Sequence, residues 1–242
     1  MLATDSKLPV IGGAEKRRYV RGMFTDIAPR YDLLNHLLSL NVDKRWREAA
    51  VDALDWERRA DGRYLDLCAG TLDLAAALAR RPGFRGHVIG ADFVKPMLEQ
   101  GRGKAERVSP VNADALALPL ADGSCDGATV GFGVRNLADL DAGLAEASRV
   151  LRPGARFVIL ELSTPPRQPL RGLYLFYFRH LLPAIGRLVS KHTSAYSYLP
   201  QSVLAFPEPE QLAEMMRLHG FRDVSYRLML GGICAIHAGT RV

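Results

Sequence analysis

From Arg63 onward, short apolar runs alternate with stretches of helical period, and that alternation restricts the chain to one fold class. "RYLDL" (63–67), "HVIGA" (87–91), a short run at 108–111, "DGATVGF" (126–132) and "ARFVILEL" (155–162) read as strands. Between them, "LDLAAALAR" (72–80) and "KPMLEQGRGKA" (95–105) read as helices. So does a segment marked by Leu140, Leu144, Ala147 and Leu151, which Pro153-Gly154 ends. Alternation of this kind implies a mainly parallel sheet with helices on both faces. After a long insertion at 163–206, a helix is expected from Pro209 to Leu218, stopped by Gly220. "DVSYRLML" (223–230) and "ICAIHAG" (233–239) then close the sheet around Gly231-Gly232. So short a link cannot join parallel strands, so this pair is antiparallel.

Ahead of the sheet, residues 1–15 read as a flexible tail and 16–58 as a helical lid. Pro29 is expected to break the lid. Val42, Trp46, Ala49, Ala50, Ala53 and Leu54 mark a helix with Asn41 or Asp43 as its N-cap. The 242 residues accommodate one α/β domain. The first twenty lack the apolar core of a signal peptide. "LYLFYFRHLLPAIGRLV" (173–189) is interrupted by Arg179, His180 and Pro183, short of the roughly 18 uncharged residues of a spanning helix. A cytoplasmic location is expected. The 3 cysteines form no CxxC, so neither a disulfide framework nor a metal site is expected. The net charge of +6 is compatible with an anionic membrane or with nucleic acid.

In open α/β sheets a ligand lies beyond the carboxyl ends of the strands. Those ends carry Asp66 and the Gly70-Thr71 turn, then Asp92, Asp114 and the stretch Gly131 to Asn136. The loop "DLCAGTLDLA" (66–75) lacks the glycines of a dinucleotide fingerprint, and Asp66 and Asp73 would repel a pyrophosphate there. Acids at successive strand ends suit a cation without phosphate. S-adenosyl-L-methionine, with its sulfonium, ammonium, ribose diol and adenine, is such a ligand. Asp92 is placed for the ribose hydroxyls, and Asp114 with the Ala115 amide for the adenine edge. No Asn-Pro-Pro-aromatic turn of amino-group methylases follows the fourth strand; "GFGVRN" (131–136) stands there.

"MFTDIAPRYDLLNHLLSL", "GFGVRNLADLDAGLAEASRVLRPG", "YSYLPQSVLAFPEPEQLAEMMRLHGF" and "GGICAIHAG" together resemble the menaquinone and ubiquinone biosynthesis C-methyltransferase family. The similarity runs from about residue 16 to the C-terminus. It implies a class I S-adenosylmethionine-dependent methyltransferase fold: a Rossmann-like, seven-stranded, mostly parallel sheet with an antiparallel last strand. It also implies methylation of a ring carbon of a polyprenylated quinol, with demethylmenaquinol as the acceptor in the bacterial menaquinone branch. The family's cofactor contacts fall on Thr71, Asp92, Asp114 and Ala115, and a further one, usually serine, on Gly131. Leu72 stands where the family usually has glycine, and the ending "HAGTRV" lacks the aromatic of many relatives.

A hydroquinone carbon becomes nucleophilic when its neighbouring hydroxyl loses a proton, so the site needs a proton acceptor and a positive group facing the phenolate. Arg135 suits the second role, since a guanidinium is a poor base; an ion pair is its structural alternative. Asn136 is expected to orient the ring oxygen. Tyr31 and His36 are either acid/base partners or aromatic packing of the lid. Leu170, Leu173, Tyr174, Tyr177, Leu181, Ile185 and Leu188 share one helical side, with Arg167, Arg171, Arg179, Arg187 and Lys191 around it. That surface is either a core face or an apolar mouth for an isoprenoid tail on an anionic membrane. Oligomeric state is not legible, a homodimer being one option. A benzoquinol acceptor, a non-catalytic scaffold and a nucleic-acid methyltransferase are the alternatives. The last needs clustered basic and stacking residues, whereas the basic residues are dispersed, so no nucleic-acid partner is expected.

Overall fold

The computed structural model describes residues 9–10, 12–32, 39, 41–178 and 193–242. Seven strands are described: β1 (Arg63–Leu67), β2 (His87–Asp92), β3 (Val108–Asn112), β4 (Cys125–Gly131), β5 (Leu151–Leu162), β6 (Phe221–Met229) and β7 (Cys234–Arg241). They form one sheet in the order β3-β2-β1-β4-β5-β7-β6. Every pairing is parallel except those of β7, which runs against both β5 and β6. The chain therefore winds outward from β1 to β3, then restarts on the other side of β1 with β4. That reversal opens a crevice at the carboxyl ends of β1 and β4, where open α/β sheets hold ligands.

Helices cover both faces. Leu144 and Ala147 of α5 (Leu140–Val150) share one core cluster with Leu212 and Met216 of α8 (Pro209–Leu218). Trp46, Ala50 and Val51 of α2 (Val42–Ala53) share the other with Leu74 and Leu78 of α3 (Asp73–Ala79). Asn41 is the N-cap of α2, in the left-handed region at φ 62°, while Asp43 binds Ser39 and Arg47. Because α2 buries its apolar side on the sheet, the part of 16–58 that overlies the crevice is the helix α1 (Gly13–Ile27) and the turn Ala28–Arg30 that follows it. Helix α1 begins inside the expected tail, and Pro29 sits in the turn that ends it.

Two helices stop earlier than their patterns suggest. Helix α5 ends at Val150, and Leu151 already pairs with Cys125 in the sheet. Pro153 disfavours helical geometry at the residue before it, so the bulged stretch through Gly154 belongs to β5. Helix α4 (Lys95–Gly101) ends four residues short, since Arg102 leaves helical geometry at ψ 129° and Gly103 takes φ 84°. The insertion contributes α6 (Leu170–Phe176) and α7 (Thr193–Leu204). Leu181, Pro183, Ile185 and Leu188, with Arg179, Arg187 and Lys191, lie outside the described residues. On α6 the expected single apolar face splits: Tyr174 is buried, while Leu173 is exposed, as is Phe176 outside that face. Among the described residues, no helix is long and apolar enough to cross a membrane.

Leu72, at the family's usual glycine, occupies a backbone that favours glycine, with φ 65° and ψ 21°. Its side chain turns away from the crevice into the core, where it is 1% exposed. The space it fills is left by two other glycines. A Cβ on Gly90 would meet Leu72 Cδ2 at 2.2 Å, and one on Gly101 would meet Leu72 Cγ at 2.9 Å. Restoring glycine would relieve about 1 kcal/mol of left-handed strain but would remove a buried leucine worth roughly 2–5 kcal/mol. Leu72→Gly is therefore expected to destabilise the fold, and a denaturant midpoint at or above wild type would contradict this packing.

Candidate active site

The crevice between β1 and β4 is a cavity walled by the loops that follow β1, β2, β3 and β4 and roofed by Arg17, Val20 and Phe24 of α1. Two of its walls hold non-glycine residues in the left-handed region, Cys68 at φ 52° after β1 and Phe132 at φ 58° after β4. Such backbone persists where the surroundings over-determine it, as they do at ligand sites. Here the strand ends leave no alternative: a Cβ on Gly133 would sit 2.4 Å from Cys68 Cβ.

Asp92 ends β2 and lines the cavity. One carboxylate oxygen accepts from the Gly70 amide at 2.9 Å and the other from the Val94 amide at 2.8 Å. Burial raises its pKa, and the backbone bonds oppose that rise. Each oxygen retains a lone pair for a further donor. Asp114 and Ala115 line the cavity beyond β3, and Asp114 Oδ1 accepts from the Leu116 amide at 3.0 Å. Its Oδ2 pairs with Arg17 of α1 at 2.5 Å. Gly131 also lines the cavity, through its backbone alone. Charged groups in the lining are thus Asp92, Asp114 and the already paired Arg17. This balance favours a cation over a phosphate.

Three expected cofactor contacts stand one layer behind the wall. Asp66 is 1% exposed. It accepts from the Ala75 amide at 2.9 Å and from Thr129 Oγ1 at 3.3 Å, and so caps the first turn of α3 from within the core. Burial pushes its pKa up to about 7. Thr71 Oγ1 donates to Asp32 at 2.5 Å. Asp73 binds Lys104 at 2.5 Å, with Arg47 at 3.7 Å, so the cations that answer this acid belong to the chain itself. Lys104 also reaches Asp32 at 2.7 Å, tying the end of the lid to the loop after β1. Burial, above all, raises the pKa of Cys68, Cys125 and Cys234, so none is poised as a thiolate.

The short helical turn Val134–Asn136 continues the wall after β4. Arg135 points into the protein, where Nη1 pairs with Glu161 of β5 at 2.6 Å and donates to the Phe132 carbonyl at 2.6 Å. Burial lowers its pKa, but Glu161 more than compensates and the net direction is upward. Lys16 of α1 donates to the Arg135 carbonyl at 2.8 Å. Burial, then the Arg135 charge, brings the Lys16 pKa down to about 8. Asn136 lines the cavity and donates through Nδ2 to the Phe132 carbonyl at 3.2 Å. A carbonyl only accepts, so this bond fixes the orientation of the amide and leaves Oδ1 buried with no hydrogen-bond partner among the described residues. Tyr31 lines the cavity and packs edge-on against Phe24, with ring centroids 5.8 Å apart. His36 lies outside the described residues.

The description of the ubiE/COQ5 methyltransferase family matches residues 13–241. The chain belongs to this family. A demethylmenaquinone methyltransferase of Thermus thermophilus is 51% identical over 90% of this chain and 100% of its own. One from Deinococcus radiodurans is 45% identical over 99% of this chain and 100% of its own. The ubiquinone/menaquinone biosynthesis C-methyltransferase of Geobacter sulfurreducens is 43% identical over 98% and 94%. Among solved structures, an S-adenosylmethionine-dependent methyltransferase of Thermotoga maritima superposes with a TM-score of 0.66 at 19% identity. It covers 92% of this chain and 100% of its own, a likeness of fold. The fold is therefore class I methyltransferase, as expected.

Within this member of the family, sequence reading missed Glu161, Lys16 and Lys104. Glu161 had a signal: an acid inside the apolar run "FVILEL" must find a partner when the strand is buried. Lys16 and Lys104 had none, since the Lys16 acceptor is 119 residues away and those of Lys104 are 72 and 31 away.

Asp66 sets a pH dependence of stability. Between about pH 4, where an unfolded aspartate titrates, and pH 7 the folded chain holds a proton there that the unfolded chain has lost. Stability contributed by Asp66 therefore falls as pH rises through that window. In Asp66→Asn that component is expected to vanish, so the variant gains on wild type in denaturant midpoint from pH 5 to pH 8. A difference between the two that stays constant with pH would show that Asp66 titrates normally.

Proposed function

We propose that this chain transfers a methyl group from S-adenosyl-L-methionine to a ring carbon of a polyprenylated quinol, demethylmenaquinol being the acceptor. The observation that carries the reading is the 51% identity to a demethylmenaquinone methyltransferase matched along its entire length. The cavity suits the cofactor: two carboxylates, one already paired cation, and apolar walls at Val94, Met97 and Leu137. Asp92 would hold the ribose hydroxyls, and Asp114 with Ala115 the adenine edge. Gly70 and Gly131 would offer backbone, and Asp66, Thr71 and Asp73 would shape the loop from behind. The cofactor supplies an electrophilic methyl group on a sulfonium.

The protein's task is to orient the ring and make its carbon electron-rich. Arg135 stays cationic, because Glu161 offsets the effect of burial. It therefore stabilises the phenolate and does not abstract the proton. Asn136 Oδ1 is an acceptor with no partner at the cavity wall, suited to a ring hydroxyl. Tyr31, which also lines the cavity, and His36 are the acid/base candidates. Exposed Leu173 and Phe176 on α6 and Leu230 before β7, with half-exposed Arg171, form the surface for the isoprenoid tail at the cytoplasmic face of an anionic membrane.

Arg135→Ala is expected to lower quinol turnover by about 100-fold or more, with S-adenosylmethionine affinity by titration calorimetry near wild type. Because that change strands Glu161, Arg135→Met with Glu161→Gln serves as the folding control. Wild-type turnover in either variant removes Arg135 from the chemistry. Labelled methyl transfer to naphthoquinol and benzoquinol analogues side by side identifies the ring. Separately, Leu173→Ser with Phe176→Ser should reduce co-sedimentation with phosphatidylglycerol vesicles; binding indifferent to anionic lipid would refute the membrane contact.

A further inference from the structure

Two tyrosines of the insertion have buried hydroxyls with no hydrogen-bond partner among the described residues: Tyr174 on α6, 6% exposed, and Tyr198 on α7, 2% exposed. Native proteins leave few buried polar groups unpaired, so two such phenols in one neighbourhood call for an explanation. Both lie within electrostatic range of Arg135 and Glu161. Burial raises the Tyr198 pKa to about 12 while the Arg135 charge draws it down, and the same two influences act on Tyr174. Arg135 Nε is likewise buried without a hydrogen-bond partner among the described residues. Helix α7 packs directly on the turn Val134–Asn136, and Tyr198 shares a buried cluster with Met23 and Val20 of the lid, of which Val20 lines the cavity.

The chemistry of these atoms is asymmetric. Arg135 Nε and the two phenols can donate, whereas Asn136 Oδ1 can only accept. A hydroquinone that has lost one proton presents the complement: an oxyanion that needs donors and a remaining hydroxyl that needs an acceptor. We infer that Tyr174 and Tyr198 are substrate-contacting residues that, with Arg135 Nε, form the oxyanion hole for the quinol's phenolate oxygen. The inference rests on the quinol methylation proposed above. The ring hydroxyl gives its proton to the acid/base group of the proposed function, which leaves the negative charge on that oxygen. As the electron pair moves through the ring, the ring carbon would bond the methyl group while the methyl–sulfur bond breaks and its pair stays on sulfur; the ring C–H proton then passes to water as aromaticity returns. The tyrosines donate hydrogen bonds throughout and exchange no proton.

Tyrosine-to-phenylalanine variants test this directly, because a hydroxyl without a protein partner contributes nothing to the fold. Tyr198→Phe and Tyr174→Phe should each melt at or above the wild-type temperature and bind S-adenosylmethionine with wild-type affinity. Each should lose about tenfold in kcat/KM for a short-chain demethylmenaquinol, the effect of one hydrogen bond made chiefly in the transition state. The acid limb of the kcat–pH profile should move to higher pH, since a poorer oxyanion hole raises the pKa of the bound quinol. Wild-type kinetics in both variants would overturn the inference, and so would a lowered melting temperature, which would mark the hydroxyls as structural. If the wild-type chain itself fails to methylate the quinol, the functional reading fails first.

Discussion

Every functional feature of this chain depends on β1 having neighbours on both sides that the chain visits at different times. The first half winds from β1 out to β3, and the second half restarts at β4. No crossover helix of the sheet spans the point where the two directions diverge, so the loops after β1 and β4 face each other across a gap. Their close approach explains the left-handed Cys68 and Phe132, and the bare Gly133 between them. Topology thus creates the cavity before any residue is chosen to line it.

The charges around that cavity fall into two shells with different duties. Asp92 and Asp114 face inward, and their carboxylates are oriented by backbone amides. Asp32, Asp73, Arg47 and Lys104 form a partly exposed network that joins the lid to the loop behind. Asp73, expected beside a cationic ligand, is paired with Lys104 and Arg47. The distinction between an acid that binds and an acid that braces depends on what folds against it, which spacing along the chain does not reveal.

The sheet was legible because its strands are apolar runs bounded by glycine, proline and polar turns, and because strand–helix alternation admits one architecture. The acids at the ends of β2 and β3 were legible for the same reason, since strand ends locate ligands. Helix ends were less so: Leu151 is governed by pairing with Cys125, distant in sequence. For Arg135 the sequence allows a phenolate-facing role or a surface ion pair; the pair it makes, with Glu161 of β5, is buried and leaves Nε unused among the described residues. Tyr174 and Tyr198 read as part of an apolar face or a family motif. Their hydroxyls, without partners among the described residues, set them apart from packing aromatics.

Leu72, Gly90 and Gly101 have a consequence for how this chain can change. The leucine occupies volume that two glycines leave open, one on β2 and one at the end of α4. A side chain at position 90 becomes admissible only when position 72 is small. A small residue at 72 leaves a hole unless position 90 grows. The two positions are therefore sterically epistatic, and neither can drift without the other. Gly101 is held separately, because its neighbour is the Thr71 backbone itself, 2.3 Å from any added Cβ, and no substitution at 72 removes that. A loop that looks permissive in sequence is in this chain coupled to β2 through Leu72 and Gly90, while α4 is fixed against its backbone at Thr71.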